Sequence, residues 1–376
     1  MIRRRITAPG AASAPVKAGP VPTGPAPCDE GTPVNHLSSP VPAQRQSTET
    51  ALSTRSFHRT VDRALLHRAA LGEVFLTDLV RTADTEFLAA AQLPRSHAYY
   101  GDHTHRVGSY DPVLLLEVVR QATIGIAHRF HGTPADHKFI LTHQNVRVDA
   151  PRALRIGSRP AELVVAATVT RERARDGQVT GLDFRLELSE TETGAIGSAE
   201  IGLRFRSPES YLELRSRAHA GEPLPSSATC PGGPGGIPAQ PGTVARRDPR
   251  NVVVTDPVPV DGVVVADLVV PATHPSMFDH PQDHLPGMVL VEAARQLSLA
   301  AVTDRHGYAP DRVQPVAITS EYLMFAELAP TTRLIATTAD GPGPELPVLV
   351  EMYQDGEPVA RVTTTFLRTT GGAVRA

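Results

Sequence analysis

Two stretches of the chain are copies of each other and decide its fold: HRVGSYDPVLLLEVVRQATIGIAHRFHGTPAD, residues 105–136, and HPQDHLPGMVLVEAARQLSLAAVTDRHGYAPD, residues 280–311. Without gaps they share eight of 32 residues: His105/His280, Leu115/Leu290, Glu117/Glu292, Arg120/Arg295, Gln121/Gln296, His131/His306, Gly132/Gly307 and Asp136/Asp311. Upstream the match continues with small shifts of register, at Pro94 and His97 against Pro271 and His274, and at Thr77-Asp78 against Thr255-Asp256. This repetition predicts a duplicated domain.

Each copy predicts one long helix. Asp111-Pro112 supplies an N-cap and a proline suited to the first helical position, and Pro286-Gly287 opens the second helix. His131-Gly132 and His306-Gly307 close the helices, because glycine accepts the left-handed turn that follows a helix.

Alternating, β-branched runs follow each helix and predict strands. They are 163–169, 182–188 and 199–205 in the first copy, and 316–318, 334–338, 348–352 and 359–366 in the second. One long helix wrapped by an antiparallel sheet is an α+β unit, so we expect two such units related by a pseudo-twofold axis.

Composition excludes several functions. The 376 residues carry 37 basic and 40 acidic side chains, a net charge of -3, which argues against broad nucleic-acid binding. Apolar runs are far too short to span a bilayer, so we expect no membrane segment. Cys28 and Cys230 stand alone in Pro/Gly-rich stretches, which argues against disulfides and cysteine zinc sites and favours a cytoplasmic protein.

Two segments lack any apolar periodicity. Residues 1–55 form a proline-rich stretch that we predict to be a disordered tail, and residues 219–248 contain Pro-Gly-Gly-Pro-Gly-Gly and predict a linker. The folded repeats are then residues 56–218 and 249–376.

A polar stripe runs along each helix. Glu292, Arg295 and Gln296 stand at positions i, i+3 and i+4, and Glu117, Arg120 and Gln121 repeat the arrangement. A glutamate–arginine pair of this spacing commonly lies on the surface, but the rest of the second helix is apolar nearly all round. Because unpaired polar groups are costly to bury, the stripe either pairs internally or lines a binding tunnel, and we favour the tunnel.

Histidines precede the second helix, at His274, His280 and His284. A histidine near a buried carboxylate suits acid–base chemistry around pH 7, although each could instead be structural. For His280 we favour function, because the gapless alignment pairs it with His105. His103-Thr104-His105 has no third ligand at a recognised spacing, so we predict no metal site.

The two helices differ at their first residue. Gly287 has a backbone N–H at a position that favours an anion, whereas its counterpart Pro112 has none. We therefore expect unequal sites, with the productive one using the Gly287 helix to stabilise an oxyanion.

The run from Leu285 to Gln296 resembles the central helix of hotdog-fold acyl-thioester enzymes. A closer resemblance is to the A-factor biosynthesis (AfsA-like) family, which carries two hotdog repeats in one chain. It is carried by the segments 94–100, 111–121 and 274–296. The resemblance spans both repeats and implies a tandem hotdog fold.

The resemblance also implies an activity: transfer of a 3-oxoacyl group from an acyl-carrier-protein or CoA thioester to dihydroxyacetone phosphate, without a cofactor. The ester product later cyclises to a signalling butyrolactone, butenolide or furan. Such a site needs a base, an oxyanion donor and a cation for the phosphate.

The stripe and the histidines supply candidates for each role. Glu292 or His280 is the expected base, with Glu117 as the copy of Glu292, and the Gly287 amide is the oxyanion donor. Arg295 or Arg120 would bind phosphate. The other expected substrate contacts are Gln296, Gln121, His105, His274 and His284.

Two other functions stay open. One is a hotdog thioesterase or dehydratase, although Phe278 stands where a gapless alignment places the dehydratase histidine. The other is a non-catalytic acyl-ligand binder or sensor. The duplication already supplies the pairing that single hotdogs obtain by dimerising, so we expect a monomer or a homodimer.

Overall fold

A computed structural model describes residues 57–105, 108–229, 236–339 and 343–368. The predicted tail, 1–55, and residues 230–235 of the predicted linker lie outside the described residues.

Twelve strands of the described residues form one antiparallel sheet. The strands of the first half are β1 (Leu76–Arg81), β2 (Glu86–Leu93), β3 (Lys138–Val148), β4 (Ala161–Arg175), β5 (Gln178–Glu190) and β6 (Gly194–Arg206). Those of the second half are β7 (Val258–Val260), β8 (Val263–Asp267), β9 (Val313–Tyr322), β10 (Arg333–Thr338), β11 (Glu345–Gln354) and β12 (Glu357–Arg368).

The strand order repeats between the halves. It runs β1-β2-β4-β5-β6-β3 and then, in mirrored sequence, β9-β12-β11-β10-β8-β7. The two sets of six strands join where β3 pairs with β9, with Asn145 opposite Thr319. The duplication predicted from sequence is therefore a pseudo-twofold in the structure, and the sheet is continuous across it.

Each half wraps one long helix, as predicted. Helix α1 is Pro112–Phe130 and begins with the Asp111 side chain accepting a hydrogen bond from the Val113 amide, at 2.9 Å. Its counterpart α3 is Gly287–His306 and ends at Gly307, whose φ of 70° is the left-handed conformation expected there. Both helices are buried nearly all round, which confirms the tandem hotdog architecture.

A third helix, α2 (Pro208–Ala218), was not predicted from sequence. It follows β6 and is capped by Ser207. The chain after it is not featureless either: residues 241–244 form a 3₁₀ turn, and Arg246 is fully buried. The composition that predicted a linker thus missed ordered structure in residues 236–248.

Candidate active site

The stripe of α1 forms a buried ionic cluster. The Glu117 carboxylate accepts hydrogen bonds from Arg120 Nε and Nη2, at 2.9 and 3.0 Å, and from Gln121 Nε2 at 2.6 Å. It also contacts Arg68, whose Nε lies at 3.1 Å. Burial opposes the charged form, but Arg120 and Arg68 outweigh burial and lower the pKa of Glu117 to about 2.

The stripe of α3 forms a second cluster of the same design. Glu292 accepts hydrogen bonds from Arg246 Nε at 3.0 Å and from Arg295 Nη2 at 2.7 Å, and it contacts Gln296. Tyr99 of the first half adds its hydroxyl at 3.1 Å. Again burial is outweighed by the two guanidinium groups, and the pKa of Glu292 falls to about 2.

Each glutamine fixes its helix to the segment that enters the sheet. Gln121 binds the Glu73 carbonyl and the Phe75 amide, and Gln296 binds the Asn251 carbonyl and the Val253 amide. Together with the bonds to Glu117 and Glu292, these contacts use both amide hydrogens of each glutamine. Both glutamines thus fix the fold, and neither lines the cavity.

The loops that precede the helices repeat too, and each crosses to the other half. We call residues 97–103 the first loop and residues 274–280 the second loop. The Asp102 carboxylate accepts hydrogen bonds from the amides of Arg247 and Asp248, and the Asp279 carboxylate accepts them from the amides of Ala69 and Ala70. Each half thus fixes the backbone next to the cluster arginine of the other half, Arg246 or Arg68.

His274 anchors the second loop. Its Nδ1 accepts hydrogen bonds from the amides of Ser276 and Met277, both at 3.2 Å, and its Nε2 lies 2.8 Å from Asn251 Oδ1. His97 holds the first loop in the same way. We expected His274 to contact substrate, but both of its ring nitrogens are used inside the protein.

The shared loop geometry corrects the pairing of His280. Asp102 and Asp279 make the same contacts, so the structural counterpart of His280 is His103 rather than His105. His103 lies 2.8 Å from the Ser109 carbonyl and is buried, with the His105 ring 4.8 Å away between ring centroids. The gapless alignment failed because the second copy has two residues fewer between this histidine and its helix.

A cavity of about 800 Å³ borders the first cluster. Arg68 and Arg120 face it with side chains that are 8% and 15% exposed. Its rim includes His280, His284 and Gly287, which belong to the second half. The expected meeting of both repeats in one pocket is therefore seen for α1 and for the start of α3.

The second cluster is closed except at Tyr99, which also borders the cavity. Tyr99, Arg246, Glu292, Arg295 and Gln296 are all at most 2% exposed. Our expectation that both stripes face one shared pocket is wrong for α3, since its side chains pair internally. Glu292, Arg295 and Gln296 lie apart from the cavity, and His105 lies with His103 on the closed side.

His280 has the partners of an acid–base residue. Its Nδ1 lies 3.5 Å from the Asp279 carboxylate, and its Nε2 lies 2.7 Å from Gln282 Nε2. Burial lowers the pKa of His280, while Asp279 acts in the opposite direction. The ring is therefore neutral at pH 7 and positioned by a carboxylate.

His284 also borders the cavity, but its Nδ1 lies 2.7 Å from the Asp283 carboxylate. Asp283 in turn accepts hydrogen bonds from Tyr211 and Arg215 of α2. His284 thus belongs to a polar cluster that fastens α2 over the cavity.

Gly287 places the first turn of α3 at the cavity, with no side chain capping it. A Cβ at Gly287 would lie 2.8 Å from the Tyr322 ring, so glycine is needed for this close approach. Part of the cavity lining is apolar and includes Ile124, Phe139, Leu141, Leu203 and Met288.

Sequence reasoning missed Arg68 and Arg246. Both come from short segments without periodicity, but the register that pairs Thr77 with Thr255 also pairs Arg68 with Arg246, so the signal was present. His67 was missed as well. It borders the cavity, and burial together with the nearby His128 lowers its pKa to about 3, so it is neutral.

Among the described residues, no group of three histidine, cysteine, aspartate or glutamate side chains is arranged to hold a metal ion. No helix in the described part of the chain is long and apolar enough to cross a membrane.

Comparisons with known proteins agree with the architecture. The family model of the A-factor biosynthesis hotdog domain matches residues 50–205 and 236–370. A 2-oxo-3-(phosphooxy)propyl 3-oxoalkanoate synthase from Streptomyces virginiae is 34% identical over 276 residues, covering 72% of this chain and 84% of the relative. A synthase of the same name from Streptomyces griseus is 29% identical over 305 residues, covering 78% and 91%.

Solved structures are more distant. The 12:0-ACP thioesterase from Umbellularia californica has a TM-score of 0.42 and 12% identity, covering 77% of this chain and 99% of that one. The match to the family model extends over both halves of the sheet and both central helices. The chain belongs to the A-factor biosynthesis hotdog family.

Proposed function

We propose that the protein transfers a 3-oxoacyl group from a thioester to the free hydroxyl of dihydroxyacetone phosphate and releases the thiol. The relatives are named for the ester that such a transfer makes, a 2-oxo-3-(phosphooxy)propyl 3-oxoalkanoate. The observation that carries the proposal is the composition of the cavity, which combines a cationic floor, a histidine, an uncapped helix start and an apolar wall.

Arg68 and Arg120 bind the phosphate of the acceptor. Two guanidinium groups share the carboxylate of Glu117, and both border the cavity. Arginine is suited to phosphate because its planar fork of donors matches phosphate oxygens. Of the two predicted phosphate-binding residues, Arg120 and the enclosed Arg295, we therefore choose Arg120.

His280 is the base. Glu117 and Glu292 are poor candidates because their carboxylates are already bound by several donors and their pKa is about 2. His280 keeps a proton on Nδ1 toward Asp279, so the lone pair of Nε2 accepts the hydroxyl proton of the acceptor. Substrate then replaces the Gln282 amide at Nε2.

The transfer takes place in two steps. The acceptor oxygen attacks the thioester carbonyl as His280 takes its proton, and the resulting oxyanion is stabilised by the Gly287 N–H. Collapse breaks the carbon–sulfur bond, and the leaving thiolate takes the proton from His280. The products are the phosphorylated ester and the free thiol, while the apolar wall holds the acyl chain. We propose an acyl carrier protein or CoA as the donor's carrier.

Incubation of the protein with a 3-oxoacyl thioester, with and without dihydroxyacetone phosphate, tests the proposal by mass spectrometry. We expect the ester to form, and an equal amount of thiol to be released, only when the acceptor is present. Release of free acid irrespective of the acceptor would identify a thioesterase. Binding without any thiol release would identify a sensor. Unphosphorylated dihydroxyacetone is the matched control and should react much more slowly.

A further inference from the structure

The structure holds two pseudo-equivalent sites. We call the Glu117 cluster with the start of α3 the open half, and the Glu292 cluster with the start of α1 the closed half. The closed half carries its own anion at the start of a helix. Asp111 caps α1 with Oδ1, 2.9 Å from the Val113 amide, and its Oδ2 lies 3.9 Å from Arg295 Nη1. Its side chain is 2% exposed, and neither Asp111 Oδ2 nor Arg295 Nη1 has a hydrogen-bond partner within the described residues. One carboxylate thus lies between a helix start and the cluster arginine.

The open half lacks this carboxylate. The residue equivalent to Asp111 is Pro286, and no side chain caps α3. The backbone is nevertheless the same, with φ and ψ of -76° and 132° at Asp111 and -60° and 141° at Pro286. At this residue the two helix starts therefore share a backbone conformation and differ in the side chain.

The charges of the clusters differ accordingly. In the closed half, Arg246 and Arg295 face two carboxylates, those of Glu292 and Asp111. In the open half, the ion pairs of Arg68 and Arg120 within 4 Å go to the carboxylate of Glu117, and Asp279 acts on Arg68 from farther away. The carboxylate equivalent to Asp111 is absent from the half that has the cavity.

We infer that the phosphate of the acceptor binds in the open half where the Asp111 carboxylate lies in the closed half. This site lies between the first turn of α3 and Arg120, where the Met288 amide is equivalent to that of Val113. The inference rests on the proposed function. It also predicts that the closed half binds no substrate, because Asp111 occupies the place of the substrate anion and neutralises the arginine that would bind it.

Exchange of one side chain tests this assignment. Pro286→Asp gives α3 the cap that α1 has, and the new carboxylate would take the place of phosphate. Pro286→Asn is the matched control, because asparagine caps a helix equally well but carries no charge. Binding of inorganic phosphate and of dihydroxyacetone phosphate is measured by titration calorimetry.

We expect Pro286→Asp to weaken binding of both ligands by at least about tenfold, the size of a lost charge-assisted contact plus like-charge repulsion. Pro286→Asn should stay within about threefold of the unaltered protein. Equal binding by Pro286→Asp and the unaltered protein would overturn the inference, and so would an equal loss in both variants.

A measurement on the unaltered protein guards against misfolded variants. Added inorganic phosphate should slow amide hydrogen exchange in the first turn of α3 and leave the first turn of α1 unchanged. Equal effects on both helices, or none, would count against the site. Phosphate binding that follows these rules in a protein that makes no ester would uphold the site and refute the proposed transfer.

Discussion

His280 combines partial burial with a carboxylate neighbour. Burial keeps its ring uncharged at neutral pH, and Asp279 fixes the orientation of the ring. Asp279 is itself held by the backbone amides of Ala69 and Ala70. The acid–base group of the second half is therefore positioned by the first half.

We predict that His280→Gln lowers kcat by about 10² to 10⁴ and changes KM little, because His280 takes up the proton in the transition state. A base must be neutral, and the pKa of His280 lies below its usual value of 6.5. The rate of the unaltered protein should therefore rise with pH below about 6.5 and be level at pH 7 and above. Steady-state kinetics from pH 5 to 8 checks both.

His103 provides the matched control, since it is the counterpart of His280 on the closed side. We expect His103→Gln to lower the melting temperature, because the ring is buried against the Ser109 carbonyl, and to leave kcat unchanged. A rate loss as large as that of His280→Gln would contradict the assignment.

For Glu292 we now predict a structural role. We predict that Glu292→Gln costs about 3 to 5 kcal/mol in free energy of unfolding, because Arg246 and Arg295 lose the carboxylate between them. The folded pKa of about 2 lies below the ordinary 4.5, so the carboxylate contributes stability above about pH 4.5 that is lost as the pH falls toward 2.

Urea unfolding at pH 7 and at pH 3 measures this effect. The difference between the two pH values should be smaller for Glu292→Gln than for the unaltered protein. A variant with unchanged stability and a large loss of kcat would instead make Glu292 catalytic.

At the scale of elements, α2 forms part of the cavity wall, and Arg215 joins Tyr211 in binding it to the second half. Arg215 is fully buried, binds Glu327 through Nη1 and Nη2 at 2.6 and 2.8 Å, and binds Asp283 through Nε at 3.1 Å. Its guanidinium also stacks on Phe325, 4.4 Å from the ring centroid. A helix of the first half is thereby fixed to the second half.

We predict that Arg215→Met destabilises the protein by about 3 kcal/mol, the lower end for a broken buried pair, because water still reaches both carboxylates. Hydrogen exchange of α2 should accelerate, and KM for the acyl thioester should rise as the cavity wall loosens. Arg217→Met on the same helix is the control, since its pair with Glu213 is exposed and contributes about 0.3 to 0.5 kcal/mol. Equal effects of the two substitutions would refute the role of Arg215.

Elements with local signals could be predicted from the sequence, and elements held by distant contacts could not. The caps of α1 and the alternation of the later strands lie within the segments themselves. In contrast, α2 depends on Asp283 and Glu327, which lie far along the chain. The buried Arg246 likewise depends on the distant Glu292. Proline and glycine around Arg246 gave the composition of a linker and concealed its role.

For the whole molecule, the duplication could be predicted from the sequence. The difference between its two halves could be predicted only in part. Gly287, which differs from its counterpart Pro112, lines the cavity, and its role as the oxyanion donor stays a prediction. The closure of the α3 stripe depends on Tyr99 and Arg246, which reach Glu292 from the first loop and from the segment before β7. Contacts of this kind, between distant parts of the chain, leave no periodic pattern in a single sequence.

The crossing loops predict that the two halves unfold together. The sheet is continuous through β3 and β9, Tyr99 binds Glu292, and Ser276 binds Glu73, so neither half keeps its buried polar groups paired without the other. We therefore expect one cooperative transition in urea, with the same free energy of opening for α1 and α3 by native-state hydrogen exchange. Helix α2 serves as the internal contrast and should open at lower free energy. Loss of protection in α1 at a urea concentration where α3 stays protected would show that the repeats are independent domains and that the exchanged loops do not couple them.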